Sequence, residues 1–323
     1  MYWKEREIAV VAVREAAMLC RVVQADLVVN KAMKKADNSP VTVADFGSQA
    51  LVCRRLKAAF PNDEIVAEEN ASILRSQTAM LETVCHYVRS LGYDTDASIM
   101  CNWIAAGNGH VGDRYWTLDP IDGTKGFLRN EQYAVALALI EKGDVKVAVL
   151  ACPALPVDMN HKNGESGVLF VAVRGEGTEV MPLGKEKGHF AHVAGADAVA
   201  SWCFVESVEA SHSNHDLQKA IAQTVGIHRP SLRMDSQAKY GCVARGDAVL
   251  YLRLPSPKQP DYREKIWDHA AGSLVVEESG GAVTDMHGLS LDFKTGALME
   301  KNQGVVVSNR TIHEQVLETL KQT

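Results

Sequence analysis

No stretch of this 323-residue chain stays apolar long enough to span a bilayer. The first residues, Met1-Tyr2-Trp3-Lys4-Glu5-Arg6-Glu7, carry acids and lack the continuous apolar core of a secretory leader, so the cytosol is the expected compartment. Cysteine is sparse and never occurs as a CxxC pair. Cys20, Cys53, Cys85, Cys101, Cys152, Cys203 and Cys242 are scattered and odd in number, which points to buried reduced thiols and away from disulfides or zinc. Surplus positive charge is missing too: 34 Lys and Arg face 40 Asp and Glu, for a net charge of -6. That balance argues against a nucleic-acid backbone as the main partner, which needs clustered Lys and Arg. A mildly acidic chain can still handle a small anion if metal ions reverse the local field. Internal repeats and low-complexity tracts are also absent.

What is present suits a soluble globular protein. Hydrophobic residues make up 46% and charged residues 23%, enough for a large core, and the length suggests two packed units. From Glu5 to about Val29, Ile8, Val11, Ala12, Ala16, Leu19, Val22 and Val23 recur at helical spacing, and Asp37-Asn38-Ser39-Pro40 breaks the helix. A second helix is expected from about Phe46 to Phe60, then a short strand, Ile65-Val66-Ala67, running into Glu68-Glu69. The middle reads as strands: Tyr115 to Leu118, Tyr133 to Ile140 and Val145 to Ala151 with a hairpin at Glu141-Lys142-Gly143-Asp144, and Gly167 to Val173. Beyond Gly188, short strands alternate with helices, including Asn214 to Gly226, Val249 to Leu254, a helix after Trp267 ending at Gly280-Gly281, and a last strand at Gly304 to Ser308. The pattern predicts an α+β layered sandwich divided near residue 190, with units at 1–190 and 191–323.

The most informative segment is Trp116-Thr117-Leu118-Asp119-Pro120-Ile121-Asp122-Gly123-Thr124. An apolar strand ends in Asp119, a proline interrupts the ladder, and Asp122 follows at once. Two acids that close repel each other and raise their pKa values unless a cation lies between them. Mg²⁺ takes hard oxygen ligands and keeps several waters, so a few carboxylates and a substrate phosphate complete its shell. Gly123 permits close backbone approach, and a helix opening at Gly123-Thr124 would aim free N–H groups at a phosphate. Glu68 and Glu69 also stand just past an apolar strand; Asp268 follows Trp267 at a probable helix start; Asp45 precedes Phe46. Singly, each has a plain reading: a solvated Asp-Pro turn, an exposed strand end, and helix N-caps for Asp268 and Asp45. All of them together do not.

Asp45, Glu68-Glu69, Asp119-Pro120-Ile121-Asp122-Gly123-Thr124 and Trp267-Asp268 stand in the order found in the lithium-sensitive, magnesium-dependent phosphomonoesterase superfamily, which the chain resembles along essentially its whole length. That superfamily includes inositol monophosphatase, inositol polyphosphate 1-phosphatase and fructose-1,6-bisphosphatase. Ser39 to Asp45, Asp122 to Leu128, Asp235-Ser236-Gln237-Ala238-Lys239-Tyr240-Gly241 and Tyr262 to His269 are most similar to the 3'(2'),5'-bisphosphate nucleotidase branch. The resemblance implies an αβαβα sandwich and two or three Mg²⁺ ions. One would be held by Glu68, Asp119 and the carbonyl of Ile121, a second by Asp119, Asp122 and Asp268. Asp45 and Thr124, helped by Glu68, would activate the attacking water. Gly123, Thr124, His212, Ser236, Lys239, Arg253 and Asp268 would hold the substrate, a small nucleotide bound by a monomer with neither nucleic acid nor membrane as partner. The reaction implied is removal of the 3'-phosphate of 3'-phosphoadenosine 5'-phosphate, with the 5'-phosphosulfate and 2',5'-bisphosphates also accepted and lithium inhibitory. Lys and Arg suit a non-reacting phosphate, and Ser and His suit ribose or phosphate oxygens. The region between Glu69 and Tyr115 matches less well. An inositol phosphate phosphatase using the same acids, or a nucleotide sensor without turnover, are the rival readings.

Other features have bland explanations. Gly107-Asn108-Gly109-His110-Val111-Gly112 satisfies GxGxxG but precedes a strand, the wrong context for a dinucleotide fold. His189 and His192 lack an acid or Cys nearby to complete a zinc site. Arg253, among apolar neighbours, could be an edge-strand residue facing water, Tyr240 a surface on which a base stacks, and Glu277-Glu278 a solvated helix face before its glycine cap.

Overall fold

A computed structural model describes residues 1–33, 40–161, 164–208, 215–255 and 261–322. The element order is α1 (Trp3–Met33), α2 (Pro40–Ala59), β1 (Glu64–Ala67), α3 (Ala71–Arg75), α4 (Thr78–Ser90), α5 (Ala97–Ala105), β2 (Arg114–Asp122), α6 (Thr124–Arg129), β3 (Ala134–Glu141), β4 (Asp144–Pro156), β5 (Ser166–Val173), β6 (Gly177–Pro182) and β7 (His189–Phe190). The second half continues with β8 (Phe204–Glu206), α7 (His215–Thr224), β9 (Leu232–Arg233), α8 (Ala238–Ala244), β10 (Leu250–Arg253), α9 (Ala270–Glu278), β11 (Ala282–Thr284), β12 (Val305–Ser308) and α10 (His313–Lys321). Among the described residues the strands form two sheets: β1 to β7 in chain order, and β11-β12-β10-β8-β9.

Three apolar clusters separate five layers. The first joins α1 and α2 to one face of the large sheet through Leu19, Phe46, Trp116, Leu137 and Val149. The second takes the opposite face, with Tyr115, Ala136, Ala138, Ala148 and Phe170, and packs it through α8 and α9 onto Tyr251, Val305 and Val307 of the small sheet. The third covers that sheet's outer face with α7 and α10, through Leu250, Leu252, Val306, Val316 and Leu320. The result is the αβαβα sandwich expected from the sequence. Alternation along each strand assigns its residues to opposite clusters, because successive side chains point to opposite faces.

Small residues set the spacing of the middle layer. A Cβ on Gly241 of α8 would lie 2.6 Å from Phe170 Cε2, and one on Gly272 of α9 would lie 2.4 Å from Tyr240 Cγ. The 142–143 hairpin turns through two left-handed residues, Lys142 at φ 54° and Gly143 at φ 84°, the pair a two-residue turn needs to match strand twist.

Several expectations need correction. Helix α2 begins at Pro40, so Asp45 lies inside it and is no N-cap. Strand β2 runs on through Asp122 instead of stopping at Leu118. The helix considered at Gly123-Thr124 is present as the short α6, whereas helix α8 has no counterpart in the sequence reading. Glu278 is no solvated residue: it accepts from Gly175 N at 3.0 Å and Gly177 N at 2.9 Å, capping the β5–β6 turn, while Glu277 pairs with Arg174 at 2.7 Å. All seven cysteines are buried and free. Among the described residues, no helix is long and apolar enough to cross a membrane.

The tight fit at Gly241 is testable. Gly241→Ala should destabilise the fold by about 1–3 kcal/mol, since Phe170 is fully buried and has nowhere to move. Urea unfolding measures this; an unchanged midpoint would contradict the packing described.

Candidate active site

One face of α2 organises the acids. Asp45, Ser48 and Gln49 stand at i, i+3 and i+4, the spacing that aligns side chains on one side of a helix. Ser48 Oγ donates to Pro120 O at 2.9 Å, fixing α2 to the turn between Asp119 and Asp122. Gln49 Nε2 donates to Glu69 O at 2.6 Å and its Oε1 accepts from Glu69 N at 2.9 Å, fixing α2 to the end of β1. Asp45 is thereby buried beside Glu68 and Glu69.

Asp119 and Asp122 are aimed by a bulge. In the β2–β3 pairing Asp119 faces Ala136 and Asp122 faces Ala134, so three steps along one strand oppose two along the other. Such a bulge re-aims side chains and is common beside active sites. Asp119 Oδ1 accepts from Ile121 N at 3.1 Å, and Ile121 O accepts from Thr124 Oγ1 at 3.3 Å, which leaves this segment tightly wound. Gly123 follows at φ 84°, where a Cβ would lie 2.9 Å from Ser236 Cβ, so glycine is required by both conformation and space.

The second half joins through Gln237. Its backbone N donates to Asp122 Oδ2 at 2.6 Å, its Nε2 to Trp267 O at 2.9 Å, and its Oε1 accepts from Gly272 N at 2.9 Å. One buried residue therefore ties Asp122 to the segment carrying Asp268 and to α9. Asp268 closes a short 3-10 turn, Ile266–Asp268.

Among the described residues Asp119, Asp122 and Asp268 do not each bring a ligand atom within 4.8 Å of one another, but the five acids act on one another through their charges. Burial is the largest influence on Asp119 and pushes it well above the usual carboxylate range, followed by the charges of Glu68, Asp122, Asp268 and Asp45. All four other acids singled out from the sequence thus act on Asp119. Burial, then Glu69, raises Glu68 to about 7. Burial raises Asp268 to about 7, with His269 opposing and Asp122 reinforcing. Asp45 is raised by burial, then by Glu69 and Glu68.

Asp122 and Asp268 line a cavity of about 210 Å³ together with Gly123, Thr124, Ser236, Lys239, Arg253 and Ser207. Lys239 is 3% exposed and, among the described residues, has no carboxylate within ion-pair distance; its Nζ lies 3.4 Å from Met234 O and 5.0 Å from the Tyr251 ring centre. Burial lowers its pKa to about 8, against the attraction of Asp122. Arg253 sits on β10, the central strand of its sheet, so the edge-strand reading is wrong. Its Nε lies 2.7 Å from Glu264 Oε2. Glu264 Oε2 also lies 3.2 Å from His269 Nε2, and His269 Nδ1 lies 2.7 Å from the Tyr240 hydroxyl. Burial would raise Glu264, but the charge of Arg253 and the bond to His269 bring it down to about 2. Tyr240 is 1% exposed and packs edge-to-face on Tyr251, so it offers no face to a base. His212 lies outside the described residues.

Gln49, Gln237, Glu264, His269 and Ser207 were not singled out in the sequence. Ser48 and Gln49 carried a signal: polar residues one turn beyond Asp45 in an otherwise apolar helix. His189 and His192 are exposed and form no metal group among the described residues. Gly107 and Gly109 pack their backbone against β1, with Ala67 N donating to Gly107 O at 2.8 Å and Gly109 N to Ile65 O at 2.8 Å, in no dinucleotide-binding turn. The described triplet with ligand atoms within 4.8 Å of one another is Glu264, Asp268 and His269, but Glu264 and His269 are committed to Arg253 and Tyr240.

Fold and site together define a phosphatase-type enzyme of the layered-sandwich class. Solved structures with this fold include the inositol monophosphatase from Anabaena, at TM-score 0.63 and 20% identity over 99% of this chain and 96% of its own. CysQ from Bacteroides thetaiotaomicron, described as a bacterial member of the inositol monophosphatase family, superposes at TM-score 0.59 and 20% identity over 96% and 98%. The chain belongs to the inositol monophosphatase family, whose profile matches residues 4–323. Curated relatives are named 3'(2'),5'-bisphosphate nucleotidase: that of Schizosaccharomyces pombe is 44% identical over 97% of this chain and 94% of its own, that of Emericella nidulans 42% over 99% and 98%, and that of Dictyostelium discoideum 37% over 99% and 97%.

Because the folded state holds Asp119 and its neighbours above their unfolded pKa values, it binds more protons than the unfolded chain, and stability falls as pH rises through that window. Asp119→Asn should therefore stabilise the chelator-treated protein at pH 7.5 by about 1–3 kcal/mol, with less gain at pH 5, since each pKa unit is worth about 1.4 kcal/mol. Thermal melts at the two pH values measure this; a destabilised variant at pH 7.5 would contradict the repulsion.

Proposed function

We propose that this enzyme hydrolyses the 3'-phosphate of 3'-phosphoadenosine 5'-phosphate, giving AMP and phosphate, and accepts the 5'-phosphosulfate and 2',5'-bisphosphates at the same site. The observation that carries this reading is a self-repelling acid cluster beside a cavity whose other wall holds the buried Lys239, with no carboxylate within ion-pair distance among the described residues, and the half-buried Arg253. The names of the relatives at 37–44% identity support the nucleotide assignment.

The donor set fits magnesium: carboxylates and one backbone carbonyl, all hard oxygens, with no thiol or free imidazole among them. Glu68, Asp119 and Ile121 O would hold one ion, and Asp119, Asp122 and Asp268 a second, with room for a third. When bound, the ions supply the positive charge that phosphoryl transfer requires. Asp45 and Thr124 form the dyad that activates the attacking water, the carboxylate of Asp45 being the final proton acceptor, and Glu68 helps to orient that water; burial makes Asp45 more basic than an exposed carboxylate. The backbone at Gly123-Thr124 and Ser236 cradle the reacting phosphate and ribose, and His212 contacts the nucleotide. Lys239 and Arg253 receive the second phosphate, whose charge compensates an ammonium buried with no carboxylate within ion-pair distance among the described residues. Residues 1–190 thus supply most ion ligands, and 191–323 supply the nucleotide contacts and Asp268. Every group comes from one chain, so a monomer suffices, and the seven free thiols suit the cytosol.

Phosphate release from 3'-phosphoadenosine 5'-phosphate should depend on magnesium and fall on lithium titration. Asp119→Asn should lower kcat at least about 100-fold, and binding without turnover by the unmodified enzyme would establish a sensor instead. Lys239→Ala should raise KM for the bisphosphate about 10-fold or more. Unimpaired turnover of inositol phosphates by a wild type inactive on the nucleotide would replace the assignment.

A further inference from the structure

Arg253 is useful to a substrate anion only if its guanidinium is held in one place, and a long side chain loses about 2 kcal/mol of rotamer freedom when it is ordered. The structure supplies the hold before any substrate arrives. Glu264 Oε2 lies 2.7 Å from Arg253 Nε, and a guanidinium carries further N–H donors with which it can grip a phosphate. Glu264 is itself immobilised. It is 8% exposed, its carbonyl accepts from Met299 N at 2.9 Å, and the adjoining Lys265 bridges to Leu298. On its other side the same Oε2 faces His269 Nε2 at 3.2 Å, and His269 is 1% exposed. Burial keeps the Tyr240 hydroxyl protonated, so it donates to His269 Nδ1 and directs the ring's remaining N–H to Glu264. Tyr240, His269, Glu264 and Arg253 therefore form one directed chain from the core of the middle layer to the cavity wall.

We propose that Glu264 is a positioning residue that sets substrate specificity: it aims Arg253 at the substrate's second, non-reacting anion, and so makes the enzyme prefer nucleoside bisphosphates over monophosphates. The inference rests on the reading of Arg253 as a contact to that anion. Glu264 also adjusts the charge of the subsite. Arg253 and Glu264 offset each other, so the positive charge this wall offers an anion comes from Lys239, which shares the cavity with Asp122 and Asp268. His269 keeps its Tyr240 partner when Glu264 is changed, which preserves one tie on the turn carrying Asp268.

Steady-state phosphate release at saturating magnesium, with 3'-phosphoadenosine 5'-phosphate and with adenosine 3'-monophosphate, separates positioning from mere structural support. Glu264→Ala should raise KM for the bisphosphate about 10- to 100-fold, with kcat within about threefold and KM for the monophosphate unchanged. Glu264→Gln, whose amide oxygen still accepts from Arg253 Nε, should recover most of the loss. Equal losses on both substrates, or a loss confined to kcat, would overturn the proposal. If Glu264→Ala does not fold, Glu264→Gln decides. Its effect on the bisphosphate KM, expected at about 3- to 10-fold, should vanish in an Arg253→Ala background, and an equal effect in both backgrounds would overturn the proposal. A wild type that turns over neither nucleotide would overturn the nucleotide assignment itself, a result distinct from a wild type that prefers the bisphosphate while Glu264→Ala keeps that preference.

Discussion

Like charges gathered out of water push one another apart, and the middle of this molecule is arranged to resist that push. Asp45, Glu68, Asp119, Asp122 and Asp268 come from α2, the end of β1, the bulged end of β2 and the turn before α9. None of these elements is held in place by opposite charge within the cluster. Neutral hydrogen bonds do it: Ser48 on Pro120, Gln49 on Glu69, Gln237 on Asp122 and Trp267. Amides suit the task because one side chain both donates and accepts, so it can join two backbones without altering the field that the acids create. The tension persists in the raised pKa values of Asp119, Glu68 and Asp268, and it is what makes the cluster receptive to cations.

The small sheet and its neighbours contribute the opposite sign. Lys239 on α8 and Arg253 on β10 approach Asp122 and Asp268 from across the cavity, and each tempers the acid facing it. Acids on one side and bases on the other leave a polarised cavity.

Much of this was legible in the sequence, and the parts that were not share a cause. Glu68, Asp119, Asp122 and Asp268 could be read because they stand at the end of an apolar strand or beside a helix start, and Asp45 because it is a lone acid in an apolar stretch of α2. The strands from Tyr115 to Val173 could be read because both their faces are apolar. Helix α8 was hidden because Ala238 to Ala244 is short and buried all round, so no amphipathic period marks it. The start of α2 was placed too late because Pro40, which fits the first turn of a helix, resembled a break. Gln49, Gln237, Glu264 and His269 have partners 20, 115, 11 and 29 residues away, and no local pattern reports contacts of that kind.

Gln237 carries a consequence for motion. By capping Asp122 with its backbone and gripping Trp267 and Gly272 with its side chain, it rivets the large sheet to α9 and the turn before it, in the middle helical layer. Opening the molecule like a clam would strip three hydrogen bonds from buried groups at once. A separation of those layers therefore costs more here than a shift of the cavity's rim, where no such clasp is made.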